Sequence, residues 1–454
     1  MKTQEPPGPS SVWVFWLMLM QLPGLSFAWT LCNRLIRRIG LRFGWEPKTP
    51  LQRYGDVIKW RIIGFPHVSV LGPAEIRRVL EDNHLNYERH PVHRMFVPVM
   101  GTGLLTTFGD AWKRRRRMLQ PAFLRTRMAG LTNLMMEEIT STTEGWAAMD
   151  SIALDVVQAT RELTLRITAR AMFPGSARAD FGAFHPALSL LSDETARRIM
   201  PWPRLPDWVP TPHNRRLREA ITVLRNTTRE LILSGSAGDD EDPTVLGILL
   251  SAAKSSNGTP LSDEELVDEA LTMLLAGHDT TASLLAWTLI ELASHPEIQE
   301  RLAASLAGAS SPGPYLRQVL DESMRLHSPV PVFVRRAVSE DVLGGWRIRP
   351  GETILLIPGM THHHPEYWPD PTRFDPDRFE PAKVQARPRY AFFPFGGGAH
   401  RCIGEHFALL EAMLVVEQIV RRFRLARQDT NPVRARGAVS LQPVGPVPIE
   451  LTCR

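Results

Sequence analysis

The sequence predicts an α+β fold in which helices dominate and β structure forms a small separate region. Between residues 112 and about 306 the apolar residues recur mostly at helical spacing. Residues 54–80 and the stretch beyond 330 instead carry short β-rich runs punctuated by Pro and Gly. With 43% hydrophobic and 22% charged residues in 454, the chain has the means to bury a core that encloses a cofactor.

The elements follow in order. No charge occurs between Glu5 and Arg34, and residues 12–31 are rich in Trp, Phe, Leu, Met and Val, a run long enough to span a bilayer. Arg34, Arg37, Arg38 and Arg42 follow it, which by the positive-inside rule leaves the remainder cytoplasmic. Pro23-Gly24 interrupts the run, so an interfacial helix pair, a segment packed on the protein's own surface, or no membrane role fit as well. The expected division is therefore an apolar segment over 1–33, a candidate anchor, and one catalytic domain over 34–454.

Val57-Ile58-Lys59-Trp60-Arg61-Ile62 and His67-Val68-Ser69-Val70-Leu71 read as a strand pair, and Pro73 opens a short helix over 74–80. Ser262-Asp263-Glu264-Glu265 is a capping box at the head of one long helix reaching Ser294. Because that helix stays apolar around Met273, Leu274, Leu275 and Ala276, it is expected to cross the interior. Residues 353–357 read as a strand, residues 405–423 as a helix, and residues 237–243 as an exposed loop. His362-His363-His364 reads as exposed rather than as a metal tract.

Three cysteines far apart, Cys32, Cys402 and Cys453, supply neither a disulfide framework nor a Cys-x-x-Cys zinc pattern, and a reducing compartment fits best. The net charge of +5 comes with a run, Lys113-Arg114-Arg115-Arg116-Arg117, able to attract an acidic partner. A nucleic-acid-binding reading would rest on that run alone and is set aside.

Phe395-Gly396-Gly397-Gly398-Ala399-His400-Arg401-Cys402-Ile403-Gly404 is the most specific stretch. A cysteine ligates as thiolate, and the N-terminal end of a helix lowers its pKa through backbone N–H groups and the helix dipole. Gly398 and Gly404 would let the backbone approach a flat macrocycle, and Phe395 would shield the sulfur. This Phe-x-x-Gly-x-His-x-Cys-x-Gly spacing resembles the haem-binding loop of cytochromes P-450.

The resemblance implies heme b (iron protoporphyrin IX) ligated by Cys402, with His400 meeting a propionate. Ala276-Gly277-His278-Asp279-Thr280-Thr281 is similar to the family's oxygen-activation segment, in which Asp279 supplies protons and Thr280 positions them. Gly277 and a Thr280 hydroxyl turned onto a backbone carbonyl would open the helix there. Glu322 and Arg325 share a helix face, and Arg378 in Pro376-Asp377-Arg378-Phe379 completes the family's buried Glu-Arg-Arg network. Trp112 and Arg116, one turn apart, resemble the family's propionate contacts, with Arg335, or its neighbour Arg336, as a third.

The expected fold is then the family's helix-rich prism, and the expected activity is hydroxylation or epoxidation of an apolar molecule such as a terpenoid, polyketide or fatty acyl chain. Met95, Phe96, Val332 and Phe333 are the expected substrate contacts, within and beyond the loop 89–106. The sequence has no flavin or iron–sulfur motif, so the expected electron source is a ferredoxin or flavodoxin with its NAD(P)H reductase, docking at Lys113, Arg114, Arg115 and Arg117. Two rivals within haem chemistry, an isomerase or dehydratase and a non-catalytic haem sensor, are disfavoured by the Asp279-Thr280 pair.

Overall fold

A computed structural model describes residues 55–62, 65–148, 151–173, 181–199, 206–235, 244–247, 261–308, 313–429, 431–437 and 439–454. The apolar run over 12–31, the whole of the expected segment 1–33 and the loop 237–243 lie outside these residues. Among the described residues no helix is long and apolar enough to cross a membrane. The described residues pack as two compact units.

The first unit comprises the described residues up to His90 together with Val332–Arg373 and Pro381–Arg401. Its sheet contains β1 (Val57–Ile62), β2 (Phe65–Val70), β3 (Tyr87–Arg89), β4 (Phe333–Ala337) and β5 (Thr353–Leu356), in the order β1-β2-β5-β4-β3. Val57 pairs with Val70 in the antiparallel β1–β2 ladder, as the β-branched runs predict. Alternation then turns Val68, Val70, Ile354 and Leu356 onto one core with Ile76, Val79, Leu80, Tyr390 and Phe393.

The helix expected over 74–80 is α-helical only over Pro73–Arg77 and continues as a π-turn over Arg78–Asp82. Asp341 pins this turn. It accepts from Arg78 Nη2 at 2.6 Å and from Tyr87 Oη at 2.6 Å.

The expectation of three exposed histidines at 362–364 fails. His362 is fully buried, and its Nε2 accepts the Phe393 backbone N–H at 3.0 Å. The short helix Pro358–Thr361 turns the ring inward, where that backbone donor needs an acceptor. Among the described residues no cluster of His, Cys, Asp and Glu is arranged to hold a metal ion.

The second unit comprises Pro91–Pro331, Phe374–Glu380 and Cys402–Arg454. Among the described residues its longer helices are α1 (Gly109–Leu119), α2 (Arg125–Ala147), α3 (Val156–Met172), α4 (Phe184–Ile199), α5 (Pro212–Gly235), α6 (Asp263–Ser294), α7 (Pro296–Leu306), α8 (Pro314–Leu326) and α9 (Glu405–Arg422). α6 opens on the expected capping box, with Ser262 Oγ accepting from Glu265 N and Glu265 reaching back to Ser262 N. It is buried around most of its circumference, so it forms the centre of this unit's core. Gly277 faces α3, and a Cβ there would lie 3.3 Å from Thr168 Cγ2. Behind α6 a hairpin pairs Ala435–Gly437 with Leu441–Pro443, and Leu441 O accepts from Ser283 Oγ and Trp287 Nε1 at 2.6 and 2.8 Å.

Candidate active site

The cysteine loop starts in the first unit and ends in the second, the chain passing between them after Arg401. Gly396 and Gly398 take φ of +70° and +63°, the left-handed region in which a side chain is strained. Gly398 has a second reason to be glycine, because a Cβ would lie 1.8 Å from the Leu80 carbonyl oxygen. The sequence reading assigns Gly398 to close approach of a macrocycle. The structure finds the protein's own backbone in that place.

Gly396 lies under the Phe333 ring, 3.4 Å from its would-be Cβ, so β4 and the loop are packed together in the first unit. Phe395 and His400 are half-buried, His400 in the turn Gly398–His400.

Cys402 is exposed and precedes Gly404, the N-cap of α9, by two residues. It therefore stands just ahead of the first turn. Gly404 differs from Gly398: its φ is −88°, and the nearest atom to a would-be Cβ, Phe123 Cε1, is 4.0 Å away. No protein atom among the described residues demands glycine there, which leaves room for a group approaching from outside.

The arginine run on α1 separates into distinct environments. Arg115, expected on the docking face, is buried: its Nη2 meets Glu265 Oε1 at 2.8 Å and its Nη1 meets Glu269 Oε2 at 3.0 Å. This corrects the sequence reading, and the cause is helical spacing, which turns Arg115 towards α6 while Lys113 and Arg117 stay exposed. Arg114 is half-exposed and 3.5 Å from Glu265. Trp112 is 8% exposed in the core of this unit.

Arg116 is half-buried, and its cationic form is disfavoured by burial and favoured by Cys402. In the first unit Arg335 is almost wholly buried, which pulls its pKa down to about 10, and its Nη1 donates to a backbone oxygen, Val334 O, at 3.0 Å. Neither arginine has a carboxylate partner among the described residues. A guanidinium stays charged at neutral pH, so half-buried Arg116 and buried Arg335, each without a counter-ion among the described residues, each have the chemistry to meet an anionic group supplied from outside the chain. The carboxylates of a haem have that chemistry. Exposed Cys402, whose thiolate would favour the Arg116 cation, could supply a thiolate to such a group, and Gly404 would leave it space.

At the centre of α6 the helix stays regular, contrary to the expected opening. Thr280 Oγ1 does turn onto a carbonyl, Ala276 O, at 2.8 Å. Gly277 serves the close contact with α3. Within this buried stretch Ala276 is exposed and Thr280 partly so, one turn apart and on one face.

Asp279 faces elsewhere. Its Oδ2 accepts from Ser440 Oγ at 2.8 Å and its Oδ1 from Gln442 Nε2 at 2.6 Å. Burial raises its pKa, and the hydrogen bonds from Ser440 and Gln442 only partly oppose that rise. Gln442 is bonded in turn to the Arg161 guanidinium. His278 is pushed down to about 3 by burial, so its neutral ring presents Nε2–H to Arg161 O at 3.0 Å.

A cavity of about 50 Å³ borders Asp279, lined by Arg161, Ser189, Ser192, Asp193, His278 and Arg436. It has room for a few waters. Ser440, Gln442 and Arg161 are absent from the sequence reading, because isolated polar residues, two beyond the last helix and one on α3, carry no spacing that ties them to α6.

Glu322, Arg325 and Arg378 do meet. Arg325 donates from Nε to Glu322 Oε2 at 2.7 Å and from Nη2 to Oε1 at 2.8 Å, while Arg378 Nε lies 3.4 Å from Oε1. The Asp375 backbone N–H adds a fourth contact at 2.8 Å, so the buried carboxylate is fully engaged. Of the expected substrate contacts, Phe96 is packed into the core of the second unit and Met95 is half-buried. Val332 and Phe333 are half-buried at the start of β4 in the first unit.

The family profile described as Cytochrome P450 matches residues 48–448. The chain is 31% identical to cyclooctatin synthase of Streptomyces melanosporofaciens, over 86% of this chain and 87% of that protein. It is 32% identical to cyclooctat-9-en-7-ol 5-monooxygenase of the same organism, over 83% of each. Among solved structures, the cytochrome P450DA heme domain aligns with a TM-score of 0.78 and 25% identity, covering 93% of this chain and 91% of that one. Retinoic acid bound cyanobacterial CYP120A1 aligns with a TM-score of 0.77 and 25% identity, covering 89% and 93%. The helix-rich α+β architecture, the cysteine loop and these matches agree: the chain belongs to the cytochrome P450 family and is a haem-thiolate monooxygenase of apolar substrates, working with O2 and redox partners.

Proposed function

We propose that this enzyme hydroxylates or epoxidises a cyclic, terpenoid-like apolar molecule, with heme b ligated by Cys402. The observation that carries the reading is the centre of α6: Ala276 and Thr280 form the accessible step on a buried helix, and the adjacent Asp279 borders a cavity large enough for water. Arg116, Arg335 and His400 would hold the propionates, Trp112 would support Arg116 from the core, and Phe395 would cover the sulfur. When bound, the haem supplies the reductive activation of O2, with the thiolate donating electron density to the iron.

The chain's own residues handle protons. Asp279, kept at raised proton affinity by burial and oriented by Ser440 and Gln442, takes a proton from the cavity side. Thr280 presents its hydroxyl on the accessible face and places the proton for O–O cleavage. The Glu322-Arg325-Arg378 network keeps α8 and the segment around Asp375 in one geometry.

Met95 and Phe96 of the second unit and Val332 and Phe333 of the first are the proposed apolar contacts. Support for the substrate class comes from the relative whose name describes the 5-monooxygenation of cyclooctat-9-en-7-ol, an unsaturated alcohol. The proposed electron donor is an acidic ferredoxin or flavodoxin with its NAD(P)H reductase, docking at Lys113, Arg114 and Arg117; Arg115 takes no part. The test is a screen of cyclic terpenoids, polyketides and fatty acids by haem spectral shift, followed by mass spectrometry of turnover products. Oxygenated terpenoids support the substrate class, and turnover confined to linear fatty acids overturns it.

A further inference from the structure

The first two turns of α6 carry acidic residues that the proposed chemistry does not use. Asp268 and Glu269 are nearly buried, and each holds one point of the loop over 101–107. Asp268 Oδ2 accepts the Thr102 backbone N–H at 2.7 Å, and Glu269 Oε1 accepts the Leu104 backbone N–H at 3.0 Å. The loop lies so close to α6 that only glycine fits at two places. A Cβ on Gly101, where φ is +69°, would lie 2.0 Å from Asp268 Cγ, and one on Gly103 would lie 2.1 Å from Thr272 Oγ1.

Each carboxylate has a second partner on a different helix. Arg115 of α1 meets Glu269 Oε2 at 3.0 Å, and Arg225 of α5 meets Asp268 Oδ1 at 2.7 Å. Three helices and the loop therefore converge on two adjacent carboxylates.

We propose that Asp268 and Glu269 form a two-point clasp that holds residues 101–107 against α6, and that release of this clasp sets the rate at which bulky substrates enter. The proposal rests on the reading of this loop as substrate-facing.

Two backbone N–H groups are pinned by carboxylates, so the loop is held whatever its side chains are, and the glycines remove any cushion between loop and helix. The charged groups acting on Glu269 are Arg115 from α1 and Asp268 on α6 itself, with Glu265 sharing Arg115 and Arg225 facing Asp268 from α5. At these contacts the loop contributes the Thr102 and Leu104 N–H groups and the Thr102 hydroxyl, which donates to Asp268 Oδ2 at 3.2 Å. Burial raises Glu269 to about 7, against the pull of Arg115 and Leu104 N–H.

The clasp therefore weakens near neutrality, as protonation removes the charge from one of its two points. Global stability moves the other way: a carboxyl with a raised folded-state pKa contributes stability below its unfolded pKa and loses it as pH rises through about 7. Faster entry at lower pH is thus a property of the clasp and not of a weakened fold.

The experiment measures binding of two isocyanides, which do not titrate, to the reduced holoenzyme by stopped flow, alongside hydrogen exchange at residues 102–106. Methyl isocyanide probes the iron and 1-adamantyl isocyanide probes the entrance. In Glu269→Gln the adamantyl on-rate is expected to rise about tenfold, with methyl isocyanide unchanged and amide exchange at Thr102 and Leu104 faster. In the wild type the adamantyl on-rate is expected to rise from pH 8 to pH 6, and that dependence disappears in Glu269→Gln. If this variant does not yield holoenzyme, the wild-type pH series and Arg225→Met, which frees Asp268, decide.

Unchanged loop exchange in the variants overturns the clasp. Faster exchange with an unchanged adamantyl on-rate overturns its role in entry. A failed haem-thiolate reading would show separately, as absence of the thiolate-type carbon monoxide spectrum.

Discussion

In the cysteine loop the backbone sets the geometry, whereas at the centre of α6 side chains act from an unbroken helix. Gly396 and Gly398 occupy left-handed conformations, and Gly398 abuts the Leu80 carbonyl. α6 keeps its ladder, and the chemistry-bearing groups are Thr280 on its accessible face and Asp279 turned onto Ser440 and Gln442. The difference separates shape from reactivity: changes in the loop should cost cofactor uptake, and changes in α6 should cost turnover in a protein that still binds haem.

The largest effect is expected at the loop. Gly398→Ala combines a strained φ with a backbone clash, a cost of several kcal/mol that should leave little haem-loaded protein. Gly404→Ala meets no protein atom closer than 4.0 Å, so stability of the haem-free chain should hold while haem occupancy falls. Haem-to-protein ratio and thermal unfolding of both forms separate the two. Equal losses of apo stability would erase the distinction between a glycine shaped by the protein and one reserved for the cofactor.

Within α6, Asp279→Asn should slow turnover about a hundredfold while leaving the haem spectrum native, since it removes a titrating carboxyl and keeps its shape. Gln442→Leu sharpens this. The hydrogen bond it removes lowers the Asp279 pKa, so the limb of the kcat–pH profile that belongs to Asp279 should move to higher pH. An unmoved profile would mean that Gln442 packs against Asp279 without tuning it.

Thr280→Ala should have a smaller effect on oxygen consumption than on its use. NAD(P)H oxidation should continue within a few-fold of wild type while much of the oxygen leaves as hydrogen peroxide, read as product formed per NAD(P)H. Full coupling in this variant would move proton placement away from Thr280.

The smallest effect is expected on α1. Charge reversal at Arg114 and Arg117 should slow reduction by an acidic donor several-fold at low salt, and the deficit should shrink as salt is raised. Reversal at Arg115 should act instead through the fold and through residues 101–107, with no salt dependence, because it is paired with Glu265 and Glu269. A salt-dependent deficit at Arg115 would restore it to the docking face.

How much of this was legible in the sequence follows from the range of the interactions. The capping box at Ser262 and the β1–β2 pair are local patterns, and each stands where its spacing implies. The Glu322-Arg325-Arg378 contact joins residues more than 50 positions apart and was reached through family resemblance, since a Glu-x-x-Arg pair alone does not name its third member. Asp279's partners lie beyond position 439, Glu269 holds an amide in a loop 165 positions earlier, and Gly398 abuts Leu80. Such contacts depend on how elements stack, and no periodicity encodes them. Arg115 shows the same limit in five residues: a basic run gives the charge, and only the packing of α1 on α6 says which member is buried.

The ligand itself is the most direct measurement. Reduced, carbon monoxide-bound wild-type protein is expected to show the red-shifted Soret band of thiolate-ligated haem, and Cys402→His, if loaded with haem, is expected to lose that band while retaining a haem absorbance. An unchanged red-shifted band in the Cys402→His protein would contradict the assignment of Cys402 as the thiolate ligand.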